Sequence, residues 1–297
     1  MSSTNQGDLF NPPNSVPAMP SPRPAPNGMD AFRSAKERTY AQIRDLKAEL
    51  EREAKTEKFW AEVVWFAESS WHFHLLDLLD KEKQRVVALK CDAPELAAQL
   101  EFQRDASQKL GEDALKYFVR HFPEACKVAG IDLDRDCRHP KYTFDERFLT
   151  LELNEKKHEA VLSTHEGRIG KKLADIPVLV DWLKQERKRL FERPFDGEKF
   201  LKTVRKAYKN ILAKEKKTDG ESLPIREVLK RMSGKADELN IDLAQLCRLS
   251  PQPSVDGRCI DFQQCKDTDR GMLLWKSTGG YVGFITFRET LKREDHA

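Results

Sequence analysis

Between Met29 and about Lys90 the apolar positions recur at helical spacing. Ile43, Leu46 and Leu50 step by three and four with Glu and Lys between them, as on a coiled-coil or exposed bundle helix. Downstream, Phe59-Trp60, Val63-Val64, Phe66, Trp71, Phe73, Leu75-Leu76 and Leu78-Leu79 are too many apolar groups for one narrow stripe, which predicts burial by several neighbours. Cys91-Asp92-Ala93-Pro94 reads as a break, with Asp92 placed to cap and Pro94 suited to a first helical turn. Helices over about 95–110 and 111–129 follow, the second stopped by Gly130.

The period changes at 147–164. Phe148, Thr150, Leu151 and Leu153, then Ala160-Val161-Leu162, flank the polar Asn154-Glu155-Lys156-Lys157, which predicts a β-hairpin. Asp175-Ile176-Pro177 opens another helix carrying Val178, Leu179, Leu183, Leu190 and Phe191, and Pro194 ends it. Asp196 caps the next, whose Phe200, Leu201, Val204, Tyr208, Ile211 and Leu212 keep helical spacing. Asp219-Gly220-Glu221-Ser222 reads as a linker or sharp turn. Two short helices are expected at about 224–232 and 241–249. Strand-like runs follow at 259–262, 272–275 and 281–287, the last two joined across Thr278-Gly279-Gly280. Short helices followed by a glycine-tipped hairpin resemble a winged-helix module in the order of their elements. On that resemblance 241–249 is the recognition helix and Lys276–Tyr281 the wing.

Seven of the fifteen prolines fall in residues 1–28, where little is apolar besides Leu9-Phe10, so this segment is expected to be a disordered tail. The reading is thus a mainly α-helical (α+β overall) fold. It has a disordered Pro-rich tail (1–28), a helical body (29–217) with a β-hairpin insert near 147–164, and a small C-terminal winged-helix-like module (222–297). No apolar stretch reaches the roughly 18–20 residues that span a bilayer, and no basic start precedes an apolar block. Six cysteines without a CxxC pair are too sparse for a disulfide scaffold, so a cytoplasmic protein with reduced thiols and no membrane contact is expected.

Charge is uneven although the total is only +3. Basic residues exceed acidic ones by 9 over 166–235 (20 against 11), whereas 1–165 carries a net −4 and 236–297 a net −2. Lys199, Lys202, Arg205, Lys206 and Lys209 share the outer side of one helix. Lys184, Arg187, Lys188 and Arg189 crowd the helix before it, and Lys214, Lys216 and Lys217 extend the set. Such density is rewarded by counterion release on a phosphate backbone, which makes sequence-independent DNA binding the expectation for these side chains. The proposed recognition helix carries only Arg248 among basic residues, and its module is net acidic. A protein partner subunit is therefore expected there in place of a base-reading role.

In the tail, Gln6-Gly7-Asp8-Leu9-Phe10 resembles the peptide by which many bacterial repair and replication proteins dock on the sliding clamp, where a glutamine precedes a Leu-Phe pair. Leu9 and Phe10 are adjacent apolar anchors, Gln6 supplies hydrogen bonds that fix register, and Asp8 completes the partner-binding set. Gly7 departs from the leucine often found second. Catalytic candidates are poor. Asp145 with Glu155-Lys156-Lys157 echoes a nuclease D…ExK set, but the pair falls on a polar hairpin tip. His72 and His74, two apart on a helix, face different ways. Cys126, Cys137 and His139 fit no common zinc spacing, and there is no P-loop, GxGxxG or GxSxG.

The expectation is a non-enzymatic accessory factor of a bacterial DNA-processing assembly, serving replication, repair, a mobile element or phage defence, with no cofactor and no metal. Its rivals are a metal-dependent nuclease using Asp145, Glu155 and Lys157, and a helical scaffold that binds only protein.

Overall fold

A computed structural model describes residues 26–267, 270–277 and 280–289 of the chain. The tail with Gln6, Asp8, Leu9 and Phe10, and the Thr278-Gly279 part of the expected wing, lie outside the described residues. The chain is about 58% helical and 18% strand, with two small antiparallel sheets. Its contacts divide it into residues 1–61 and 62–297.

The first unit is the greater part of α1, which runs Pro26–Glu68. From 29 to 55 every residue of α1 is exposed except Ala48, which is half-buried.

The second unit begins with the last turns of α1 and continues through α2 (His72–Lys81), α3 (Lys83–Asp92), α4 (Pro94–Lys116) and α5 (Phe118–Val128). The expected cap at Asp92 is not made. Helix α3 runs through Asp92, Ala93 stands at the N-cap position without a side-chain bond, and Pro94 opens α4. The expected break near 110 falls instead at Tyr117, because Gly111 is a packing residue inside α4. A Cβ there would lie 3.0 Å from the Phe73 ring.

Where a single hairpin was expected, the chain builds a four-stranded meander: β1 (Lys141–Phe144), β2 (Leu149–Asn154), β3 (Glu159–Thr164) and β4 (Gly167–Leu173). In β2, Leu149, Leu151 and Leu153 are buried and alternate with outward Thr150, Glu152 and Asn154, so one face meets the core. Leu151 pairs with Leu162 and Leu153 with Ala160 across β3. The sheet is wider than the hydrophobic alternation indicated because the flanking β4, Gly-Arg-Ile-Gly-Lys-Lys-Leu, is too polar to read as a strand. Helix α6 (Ile176–Phe191) lays Leu179, Leu183 and Leu190 against this sheet, while Phe118, Phe122 and Cys126 of α5 join the same core.

Helix α7 (Gly197–Glu215) starts the second core. Its N-cap Asp196 accepts the Lys199 N–H at 3.0 Å, as the sequence predicts. The sequence assigns α7 to the helical body, but its Leu201, Val204, Tyr208 and Ile211 pack with the C-terminal elements. These are β5 (Leu223–Pro224), α8 (Ile225–Leu229), α9 (Ala236–Leu246), β6 (Ser254–Val255), β7 (Arg258–Cys265) and β8 (Tyr281–Glu289), in the sheet order β5-β8-β7-β6. Residues 272–275 form no strand, only a bridge from Met272 to Val282, and β8 pairs directly with β7. Leu274 and Met272 are buried in the second core, which accounts for the apolar run. Helix α9 begins five residues earlier than the expected 241, since Leu239 and Asn240 are already buried in its first turns.

Candidate nucleic-acid interface

The basic residues of α6 and α7 divide by type. The arginines face inward and are bound by carboxylates; the lysines face water. Arg187 makes a two-pronged pair with Asp145, Nε to Oδ2 at 2.9 Å and Nη2 to Oδ1 at 3.0 Å. Arg189 is held by Glu186 on its own helix and by Asp237 and Glu238 at the start of α9. Burial works against its charge, but these carboxylates hold the guanidinium above its usual pKa. Arg193 reaches Asp242 at 2.6 Å and the Glu238 carbonyl at 3.1 Å. Burial pushes the Asp242 carboxyl up, against the pull of Arg193.

Arg205 is the clearest departure from the expected DNA-binding row. Its side chain is only 3% exposed. It pairs with Asp219 and Asp256, and its guanidinium lies 4.7 Å from the centre of the Phe287 ring. Burial again opposes the charge, and Asp219 and Asp256 more than restore it. The group is shielded from any phosphate. The sequence reading puts Arg205 on the outer side of the helix with Lys202 and Lys206, but Val204, Arg205 and Tyr208 are all buried. The helix is covered over a wider arc than its apolar stripe indicated.

Lys184 and Lys188 on α6 and Lys199, Lys202 and Lys206 on α7 are exposed. Lys209 is also exposed, but it pairs with Asp256, whose pKa it lowers. Of the nine basic residues predicted for DNA, Lys184, Lys188, Lys199, Lys202 and Lys206 present charge outward with no carboxylate partner among the described residues. Lys199, Lys202 and Lys206 recur at three and four on one helix face.

The nuclease set is not brought together for chemistry. Asp145 is bound by Arg187, and Glu155 sits on the turn between β2 and β3, where it meets His139 Nε2 at 2.6 Å. Lys157 closes that turn by donating its N–H to Asn154 Oδ1. The other His139 nitrogen lies 3.0 Å from the Tyr142 hydroxyl, so both ring nitrogens are engaged. Burial, then nearby Cys137, pushes the buried Cys126 thiol up to about 12. Burial also pushes the Tyr142 hydroxyl up to about 12. Among the described residues no group of three or more His, Cys, Asp and Glu stands placed to hold a metal. His74 is paired with Asp175, and no helix among the described residues is long and apolar enough to cross a membrane.

No spacing pattern in the sequence marks the side chains that join the two cores. Asn240, wholly buried on α9, donates to Glu166 Oε1 and to the Leu273 carbonyl, both at 2.9 Å, and accepts the Trp275 N–H. Arg226 of α8 binds the other Glu166 oxygen at 2.9 Å and the Gly271 carbonyl. Trp275 packs against both cores and donates its indole N–H to the Asp145 carbonyl at 3.1 Å. The one visible signal was a lone Asn between Leu239 and Ile241.

Compared with known proteins, the chain matches no family model, no curated protein and no solved structure.

Proposed function

We propose that the chain is a non-enzymatic accessory factor that holds nucleic acid by its phosphate backbone through α7 and α6, and a partner protein through its C-terminal elements, within a bacterial DNA-processing assembly. The observation that carries this reading is the division of the basic residues: arginines committed to internal carboxylates, lysines left outward. Arginine's planar fork suits fixed, partly buried pairs, whereas lysine's mobile point charge suits phosphates that need no fixed register. In this reading α7, β5, α8, α9, β7 and β8 are a winged-helix-like module. The tail residues Gln6, Asp8, Leu9 and Phe10 tether the protein to a sliding clamp.

Helix α9, the module's counterpart of a recognition helix, is turned into the protein. It carries Asp237, Glu238 and Asp242, all held by arginines of the α6 segment. With its acidic side chains held by those arginines, α9 does not read bases. The same observation favours the second reading, a helical scaffold that binds only protein.

Fluorescence anisotropy with duplex DNA at several salt concentrations separates the two. Backbone binding falls steeply with salt, and Lys199→Gln/Lys202→Gln/Lys206→Gln reduces the logarithmic slope by about 3, one for each lost contact. Arg205 stays unchanged in this variant because it belongs to the core. Undetectable binding at low salt overturns the DNA reading and leaves the scaffold.

A further inference from the structure

Helix α1 carries an exposed apolar seam. Taking Ile43 as position a of a heptad, Met29 and Leu50 also fall at a, and Phe32 and Leu46 fall at d; Lys36 (a) and Thr39 (d) complete the run. Phe32 is 73% exposed, Leu46 63% and Leu50 70%, with Tyr40 flanking the seam at 63%. At Glu53 (d) and Glu57 (a) the seam turns acidic and ends. It spans 29–50, about 33 Å of helix at 1.5 Å per residue.

We infer that this seam is the contact of a parallel, in-register two-stranded coiled coil formed with a second copy of the chain. Four features of the sequence and structure choose that occupant. β-branched Ile43 at a with Leu46 at d is the pairing that favours two parallel strands. A single charged Lys36 at a is tolerated where it reaches solvent beside its twin, and it sets register at some cost in stability. Across a parallel pair the g and following e positions bring Gln42 to Lys47, Glu49 to Ala54 and Ala35 to Tyr40, so no like charges face one another at these flanking positions. Six exposed apolar side chains per copy, each hiding about 60–120 Å², remove on the order of 1,000 Å² from two copies, the lower bound of a specific interface.

Sedimentation equilibrium of the full chain is the test. The expected mass is twice that of one chain, and Leu46→Glu/Leu50→Glu is expected to halve it. Both positions are exposed, so near-ultraviolet circular dichroism of the tryptophans stays unchanged and shows that the variant is folded. Leu46→Cys, in a chain with exposed Cys91 and Cys247 changed to serine, is expected to cross-link to itself under mild oxidation. A full chain at single-chain mass overturns the inference and leaves the seam to a helix of another protein. A doubled mass that survives Leu46→Glu/Leu50→Glu overturns it in favour of a different contact. A Leu46→Cys dimer that does not cross-link overturns the parallel register.

Discussion

The Asp175 carboxylate accepts the backbone N–H groups of Phe73 and His74 at 3.0 and 3.1 Å and meets His74 Nδ1 at 2.6 Å. Asp175 directly precedes α6, yet its side chain does not cap that helix. It closes the N-terminus of α2 instead, 102 residues before it in the case of Phe73. Two of the unpaired donors at the start of α2 are thereby satisfied by a buried charge at the mouth of another helix. One carboxylate thus anchors the α2–α4 helices to the sheet and α6.

Asp175→Ala leaves those two donors and the imidazole without their acceptor in a site where the carboxylate is 2% exposed. Stability should fall by about 3 kcal/mol, in the range for breaking one partner of a buried charged network. Asp175→Asn keeps one acceptor oxygen and should lose roughly half as much. Urea unfolding of the three proteins measures both. An Ala variant as stable as the parent would show that α2 finds other acceptors.

The neighbouring His72 makes the same junction sensitive to acid. Burial lowers its pKa, partly opposed by the Asp175 charge, while Phe73 and Gly111 beside it carry no charge. A depressed folded-state pKa means that the unfolded chain takes up the proton first as pH falls. This contribution to stability is fully present above the ordinary histidine value of about 6.5 and is lost as pH falls from there through the folded value. His72→Gln should flatten that part of the stability curve. Denaturant midpoints measured from neutral pH downward give the slope, and an unchanged slope assigns the acid response to other groups.

Asn240 and Glu166 carry the second junction. Asn240→Leu keeps the volume but leaves the Leu273 carbonyl, the Trp275 N–H and one Glu166 oxygen without their partner. The expected loss is about 2–3 kcal/mol. Because those bonds tie the sheet turn and the 271–275 segment to α9, the two cores should also uncouple. Scanning calorimetry would then show two transitions in place of one. A single transition with an unchanged midpoint would mean that Arg226 and the Trp275 packing suffice to join the cores.

What the sequence disclosed follows from what a linear pattern encodes. The Asp196 cap and the buried stripe from Leu201 to Leu212 were legible because their partners lie within a turn or two of helix. The four-stranded sheet was not, because β4 has no alternation and is identified only by its pairing with β3. The fate of the arginines was also hidden. Arg205 and Lys202 look alike in a count of charges, and only the return of Asp219 and Asp256 to the far side of α7 separates them. Likewise, no spacing rule links Glu166 to Asn240, 74 residues apart.

That separation of Arg205 from Lys202 can be measured on one helix. Arg205→Met removes a buried guanidinium and leaves Asp219, 38% exposed and still near Arg258, without its main partner, for an expected loss of about 1–3 kcal/mol. Lys202→Met changes an exposed position and should stay within about 0.5 kcal/mol. The hydrogen bonds from Arg205 hold the Asp219 carboxyl below its usual range. Its share of stability is therefore present above the ordinary aspartate value of about 3.9 and is lost as pH falls below it through the folded value. The Arg205→Met protein should lack that acid loss. DNA affinity should sort the other way: Lys202→Met weakens binding at constant stability, while Arg205→Met, assayed where it remains folded, leaves binding unchanged. Equal effects of the two substitutions on affinity would place the guanidinium at the nucleic acid after all and undo the assignment of arginines to the fold and lysines to the partner.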